Sequence, residues 1–240
     1  GAEDELIPLP RDDAEPPLVL VLGGTGYVGG RLIPRLLAAG YRVRVLVRSR
    51  ERILAMPWAH KVEICEGDAS ETVSLQNTKL SPYLASRVEV AKILLDSSVP
   101  TIVLQAGAII GSGSASFEMV RHLTEVLPYM PAPRWVRNFI QPIAIRDVLY
   151  YLLAAARISE ELNREFDIGG PDVLRYGQMM NPYALEAGLP QRHIAALPVL
   201  TPRLASHWVD LVTPVPHQIV RPLVESLQND CVMSEHGIDQ

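Results

Sequence analysis

Cysteine is almost missing from this chain: 240 residues hold only two, Cys65 and Cys231, far apart and with no CxxC spacing. That excludes a disulfide framework and a cysteine zinc site, and it fits a reducing, cytoplasmic setting. Long apolar runs are missing too. The best stretch, Val148 to Ile158, falls short of the roughly 18 residues that span a bilayer and ends against charge. The start of the chain lacks the basic residues and apolar stretch of a secretory leader. Positive charge is in deficit, with a formal net charge of -5, so a nucleic-acid partner is not expected.

What is present is an ordinary globular composition, 48% hydrophobic and 20% charged, long enough for one large α/β domain or one domain with a small appendage. Residues 1–17 are acidic and proline-rich, with Asp4, Glu5, Asp12, Asp13 and Glu15, and are expected to form a mobile tail.

Leu18 to Leu22 is a short apolar run that reads as a strand buried on both faces of a parallel sheet. Gly23-Gly24-Thr25-Gly26-Tyr27-Val28-Gly29-Gly30 follows, then Leu32, Ile33, Leu36 and Leu37 at helical spacing. Gly40 stops the helix and Tyr41 to Val47 makes a second strand. In this setting the glycines have separate tasks. Gly23 permits a tight turn, Gly26 lets backbone approach a pyrophosphate, and Gly29 allows close helix-to-strand packing. The helix N-terminus, with Thr25, Tyr27 and Val28 beside it, then faces the phosphates. Strand, glycine turn and helix in this order predict a dinucleotide site.

The second strand ends in Arg48-Ser49-Arg50, where an NAD site would place an acid against the ribose 2′-hydroxyl. Arg48 and Arg50 instead suit a 2′-phosphate, so NADP is favoured over NAD; the bland alternative is a solvated surface pair. Val62 to Ile64 reads as the third strand, and Asp68 beyond it either accepts from the adenine amino group or caps the next helix.

These motifs, with Glu66-Gly67-Asp68-Ala69, Gln141 to Val148 and Phe166 to Gly170, resemble an atypical short-chain dehydrogenase/reductase, and within it the NAD(P)H-binding, NmrA-like group. The resemblance implies a Rossmann-type doubly wound parallel sheet with a small, mostly helical C-terminal substrate-side unit. It also implies a catalytic tyrosine with a lysine four residues on, the lysine lowering the tyrosine pKa for proton exchange with a carbonyl or alcohol. Here the sequence is Tyr83-Leu84-Ala85-Ser86-Arg87. Arg87 keeps the charge and spacing but not the compact ammonium, so Tyr83 and Arg87 read either as a catalytic pair or as a helix-start residue and a surface cation. About 14 residues separate Asp68 from Tyr83, while two further strand–helix crossovers need on the order of 30 residues each. A stretch left out of the sequence near Asn77 and Thr78 accounts for this better than a natural deletion.

Further on, Val88 to Leu95 reads as helix and Thr101 to Gln105 as strand. The loop Ala106 to Ser116 should pass the nicotinamide, with backbone at Ala108 near the carboxamide. Ser112, Ser114 and Ser116 are possible substrate contacts, though turn and cap roles suit them better. Phe117 to Leu127 is a helix, and Pro128 to Pro133 a break from which a substrate-covering loop starts. Gln141 is a substrate-side candidate by resemblance. Tyr176 to Ala187 is a further helix, and prolines after it suggest short helices over the cleft. His207 and Trp208 there line a pocket or are a surface histidine beside a buried tryptophan; no metal-ligand spacing is present.

The organisation expected is a tail at 1–17, a Rossmann domain at 18–170 and a helical cap at 171–240. The leading function is an NADP-dependent oxidoreductase acting on a small molecule. The alternatives are a non-catalytic NADP(H)-binding sensor or scaffold with a protein partner and, last, a nucleotide-sugar epimerase or dehydratase.

Overall fold

The computed structural model describes residues 16–67, 82–132, 134–158, 162–196 and 230–233. They fall into two compact units, one within Gly1–Ser74 and Leu149–Arg157, the other within Leu75–Val148 and Ile158–Gln240. Both are α/β with parallel strand pairs, a Rossmann-like arrangement.

The first unit runs β1 (Leu18–Leu22), α1 (Gly29–Ala38), β2 (Arg42–Val47), α2 (Arg50–Leu54) and β3 (Glu63–Glu66). Its sheet is parallel in the order β1-β2-β3. Strand alternation sorts the side chains. Val19, Val21, Val43, Val45, Val47 and Ile64 go to the core with Ile33, Leu36, Ile53 and Trp58. Leu18, Leu20 and Leu22 point the other way and are exposed, which corrects the expectation that β1 is covered on both faces. On that second face Arg42 and Arg44 of β2 meet Glu63 of β3 at 3.0 and 2.6 Å. The bonds from Arg44 and then Arg42 hold the Glu63 carboxyl below the usual carboxylate range, but a pair this exposed contributes little to stability.

Helix α1 ends as its sequence prescribes. Gly40 takes φ +96°, Tyr41 N–H donates to Leu36 O at 3.0 Å and Gly40 N–H to Leu37 O at 3.2 Å, the paired closure that a left-handed glycine allows. Ile33 has no exposed surface. Ile33→Ala should therefore destabilise the unit by about 2–4 kcal/mol, the combined loss of burial and a residual cavity, measurable as an earlier urea midpoint.

The second unit begins with α3 (Pro82–Leu95), β4 (Ile102–Ala106), β5 (Ala108–Ile110) and α4 (Ala115–Val126). Then come β6 (Tyr129–Ala132), β7 (Phe139–Ile140), β8 (Pro142–Ala144) and α5 (Ile145–Ala155), whose last turns belong to the first unit. There Tyr41 donates to Ala156 O at 3.4 Å. The chain continues with β9 (Arg164–Ile168), β10 (Leu174–Arg175), α6 (Met180–Glu186) and β11 (His193–Ala196). β4 pairs with β9, β5 with β8 and β6 with β11, all parallel; β7 and β10 are antiparallel.

One expectation changes here. The break at Pro128 to Pro133 is largely strand β6, since Tyr129 to Ala132 find partners in His193 to Ala196; a two-stranded edge tolerates Pro131, which lacks a donor. After residue 170 the described residues hold α6 together with the short strands β10 and β11. Between β3 and β4 the described residues hold one helix and no strand.

Candidate dinucleotide-binding site

The turn after β1 is built on backbone proximity. Gly23 sits at φ +70° and its carbonyl accepts from Gly26 N–H at 2.9 Å. A Cβ on Gly29 would lie 2.4 Å from that same carbonyl oxygen and 3.0 Å from Gly24 Cα. The first residue of α1 thus rests on the turn itself. Gly24 is packed closely as well: a Cβ there would meet Val45 Cγ1 at 2.5 Å and Ile33 Cδ1 at 2.9 Å. Its place beside Gly23 was the available signal.

Helix α1 has no acidic residue in its first turn and no side-chain cap at Val28, so no carboxylate of its own competes for the positive end of the dipole. Arg31 adds charge nearby. It donates to Tyr27 O at 3.1 Å and lies 4.0 Å over the Tyr27 ring.

A cleft of about 670 Å³ opens at the carboxyl ends of the three parallel strands, where open α/β sheets take ligands. Leu22, Gly23 and Thr25 line it from the first loop, Leu46 to Ser49 from the end of β2, Glu51 and Arg52 from α2, and Gly67 from beyond β3. Arg48 is therefore on the cleft wall. Arg50 is not among its lining residues; its backbone N–H donates to Glu66 Oε1 at 3.2 Å, tying down the start of α2, where Ser49 makes no side-chain cap. Arg52 escaped the sequence reading, and Glu66 entered it only as part of the Glu66-Gly67-Asp68-Ala69 motif. Two residues along α2, roughly 200° of rotation at 3.6 residues per turn, decide whether Arg50 or Arg52 faces the cleft, and strand pairing brings Glu66 to α2.

The remaining candidates lie elsewhere in the chain. Tyr83 and Arg87 are four residues apart on α3, their side chains outside the described structure, as are Asp68, His207 and Trp208. Ala108 opens β5, opposite Pro142. Ser112 is exposed beside Gly113, whose φ is +80°. Ser114 is buried and donates to Ile109 O at 2.7 Å. Gln141 is buried, its amide donating to Gly170 O at 2.7 Å and accepting from Met233 N–H at 3.1 Å. Among the described residues no cluster of His, Cys, Asp and Glu could hold a metal ion, and no helix is long and apolar enough to cross a membrane.

Residues 23–80 match a family model described as NAD(P)H-binding. No protein of curated function matches the sequence. Among solved structures, the chain is similar to a dTDP-glucose 4,6-dehydratase from Bacillus anthracis in complex with NAD, at 13% identity and a TM-score of 0.58 over 88% of this chain and 96% of that one. It is similar to a UDP-glucuronic acid 4-epimerase from Bacillus cereus in complex with NAD, at 11% identity and 0.55, covering 86% and 99%. An enzyme from Bordetella bronchiseptica in complex with NAD and UDP aligns at 11% identity and 0.53 over 95% and 99%. At such identities the likeness is one of fold. The solved structures share the Rossmann-like fold, and the stretch that matches the NAD(P)H-binding family model, residues 23–80, holds the glycine turn, α1, β2 and β3.

Proposed function

We propose that the protein is an NADP(H)-dependent oxidoreductase of NmrA-like type acting on a small carbonyl or olefin in the cytoplasm. The observation that carries the NADP preference is the cleft wall, where Arg48 and Arg52 stand beside the glycine turn and no acid occupies the end of β2. Glu51 shares the cleft, leaving two guanidiniums against one carboxylate for a 2′-phosphate.

The residues present fit such a cofactor. The Gly23–Gly26 turn, the uncapped α1 start and Thr25 would hold the pyrophosphate, and Arg48 and Arg52 the phosphorylated ribose. The bound nicotinamide supplies hydride chemistry. Tyr83 would exchange the proton with the substrate oxygen, and Arg87, one helical turn on, would favour its phenolate.

Arg87 in place of lysine supports a second reading, a non-catalytic NADP(H) sensor whose partner is a protein. An epimerase or dehydratase, as the neighbouring structures are described, ranks behind both because the Tyr-Lys pair expected of those enzymes is not intact here. Titration with NADPH and NADH, followed by nicotinamide fluorescence with aldehydes, ketones and quinones, separates them. Turnover that falls about 100-fold in Tyr83→Phe with NADPH affinity kept supports the enzyme; tight binding with no turnover of any compound would establish the sensor.

A further inference from the structure

Within the second unit the last paired residues of β4 and β9 are Ala106 and Ile168, and each strand is followed at once by a glycine, Gly107 and Gly169. The space their side chains would take is claimed by a distant piece of chain. A Cβ on Gly107 would meet Cys231 O at 3.0 Å and Cys231 Cβ at 3.1 Å; one on Gly169 would meet Met233 Sδ at 2.7 Å. Residues 230–233 therefore lie across the carboxyl ends of two parallel strands, the edge where sheets of this kind receive ligands.

Specific bonds hold them there. Asp230 Oδ1 accepts from Phe139 N–H at 2.7 Å. Cys231 N–H donates to Phe139 O and its carbonyl accepts from Gln141 N–H, both at 2.9 Å, a parallel bridge to Ile140. Met233 N–H donates to the Gln141 side chain at 3.1 Å. Tyr176 is pushed up from its ordinary range by burial and by Cys231 and Asp230. Yet the segment is shallow: Asp230 and Val232 are exposed, so a few bonds and little apolar burial separate the seated from the released state.

We propose that residues 230–233 are a latch, seated on the carboxyl ends of β4 and β9, that must leave its seat before a substrate can reach this edge. As to substrate, this rests on the oxidoreductase reading. The bonds that hold the latch come from the Phe139 and Gln141 backbone, from the Gln141 side chain and from Tyr176, whose side chain is hydrogen-bonded to that of Cys231. Release exposes Gly107, Gly169 and the Gln141 amide together.

The test compares wild type with Asp230→Ala and with Asp230→Ala/Met233→Pro, the second substitution removing the donor to Gln141. Iodoacetamide labelling of Cys231, resolved from Cys65 by peptide mass, reports the latch; NADPH-dependent reduction of 9,10-phenanthrenequinone reports access. The expected result is labelling about tenfold faster in the double variant, with the single variant between, together with a rise in kcat/KM. Equal labelling in all three proteins, or faster labelling with unchanged or lower kcat/KM, would overturn the latch. Saturable NADPH binding with no turnover in any of the three overturns the catalytic reading instead, and the latch then stands or falls on the labelling ratio alone.

Discussion

Gly29→Ala should abolish measurable NADPH binding and destabilise the protein by about 2–4 kcal/mol, the range of an overpacked site whose neighbours cannot give way. In an exposed helix the same change stabilises by roughly 1 kcal/mol, because alanine is the better helix former. The sign reverses here because the new methyl would lie 2.4 Å from the Gly23 carbonyl oxygen, and backbone has no rotamer by which to retreat. Either α1 moves off the turn or the turn loses its shape. Both spoil the line of N–H groups that faces the pyrophosphate. Gly30→Ala is the internal control, since its Cβ would meet Gly24 O only at 3.4 Å; it should fold and bind like wild type. Urea unfolding and fluorescence titration of the two variants check this, and equal behaviour of both would refute the packing argument.

Arg48→Ala should weaken NADPH by about 10- to 100-fold while leaving NADH nearly unchanged, the range expected when one charge-assisted bond worth roughly 1.5–3 kcal/mol is lost. Arg52→Ala should follow it in kind. Arg50→Ala should do little, because among the described residues Arg50 is held through its backbone N–H by Glu66 and does not line the cleft. Calorimetric titration of the three variants with both cofactors separates the cleft wall from the surface. Equal losses for NADPH and NADH in Arg48→Ala would mean that the residue serves the common part of the cofactor and that the 2′-phosphate assignment is wrong.

Much of the first unit was legible because its signals are local. Gly40 ends α1, the alternation of Val43, Val45 and Val47 marks β2, and the glycine run between β1 and α1 declares the turn. The glycine roles were legible in kind but not in partner. Gly24 was passed over, although it meets Val45 and Ile33, because that contact depends on how α1 settles over β2. The arginine cluster was legible as a cluster, and only the placement of α2 separated Arg48 and Arg52 on the cleft from Arg50 beside Glu66. The strand at Tyr129 to Ala132 was hidden among three prolines, Pro128, Pro131 and Pro133, since its partner lies some 60 residues later at His193 to Ala196.

The sequence by itself determined the parallel α/β class, the dinucleotide turn and the cationic end of β2, since each follows from short-range sterics, periodicity and charge. Tertiary structure decided which residues line the cleft, which face of β1 is covered, and that residues 230–233 sit at the ends of β4 and β9. Those facts depend on contacts between segments far apart in the chain, and no local pattern encodes which distant backbone will fill the space beside a glycine.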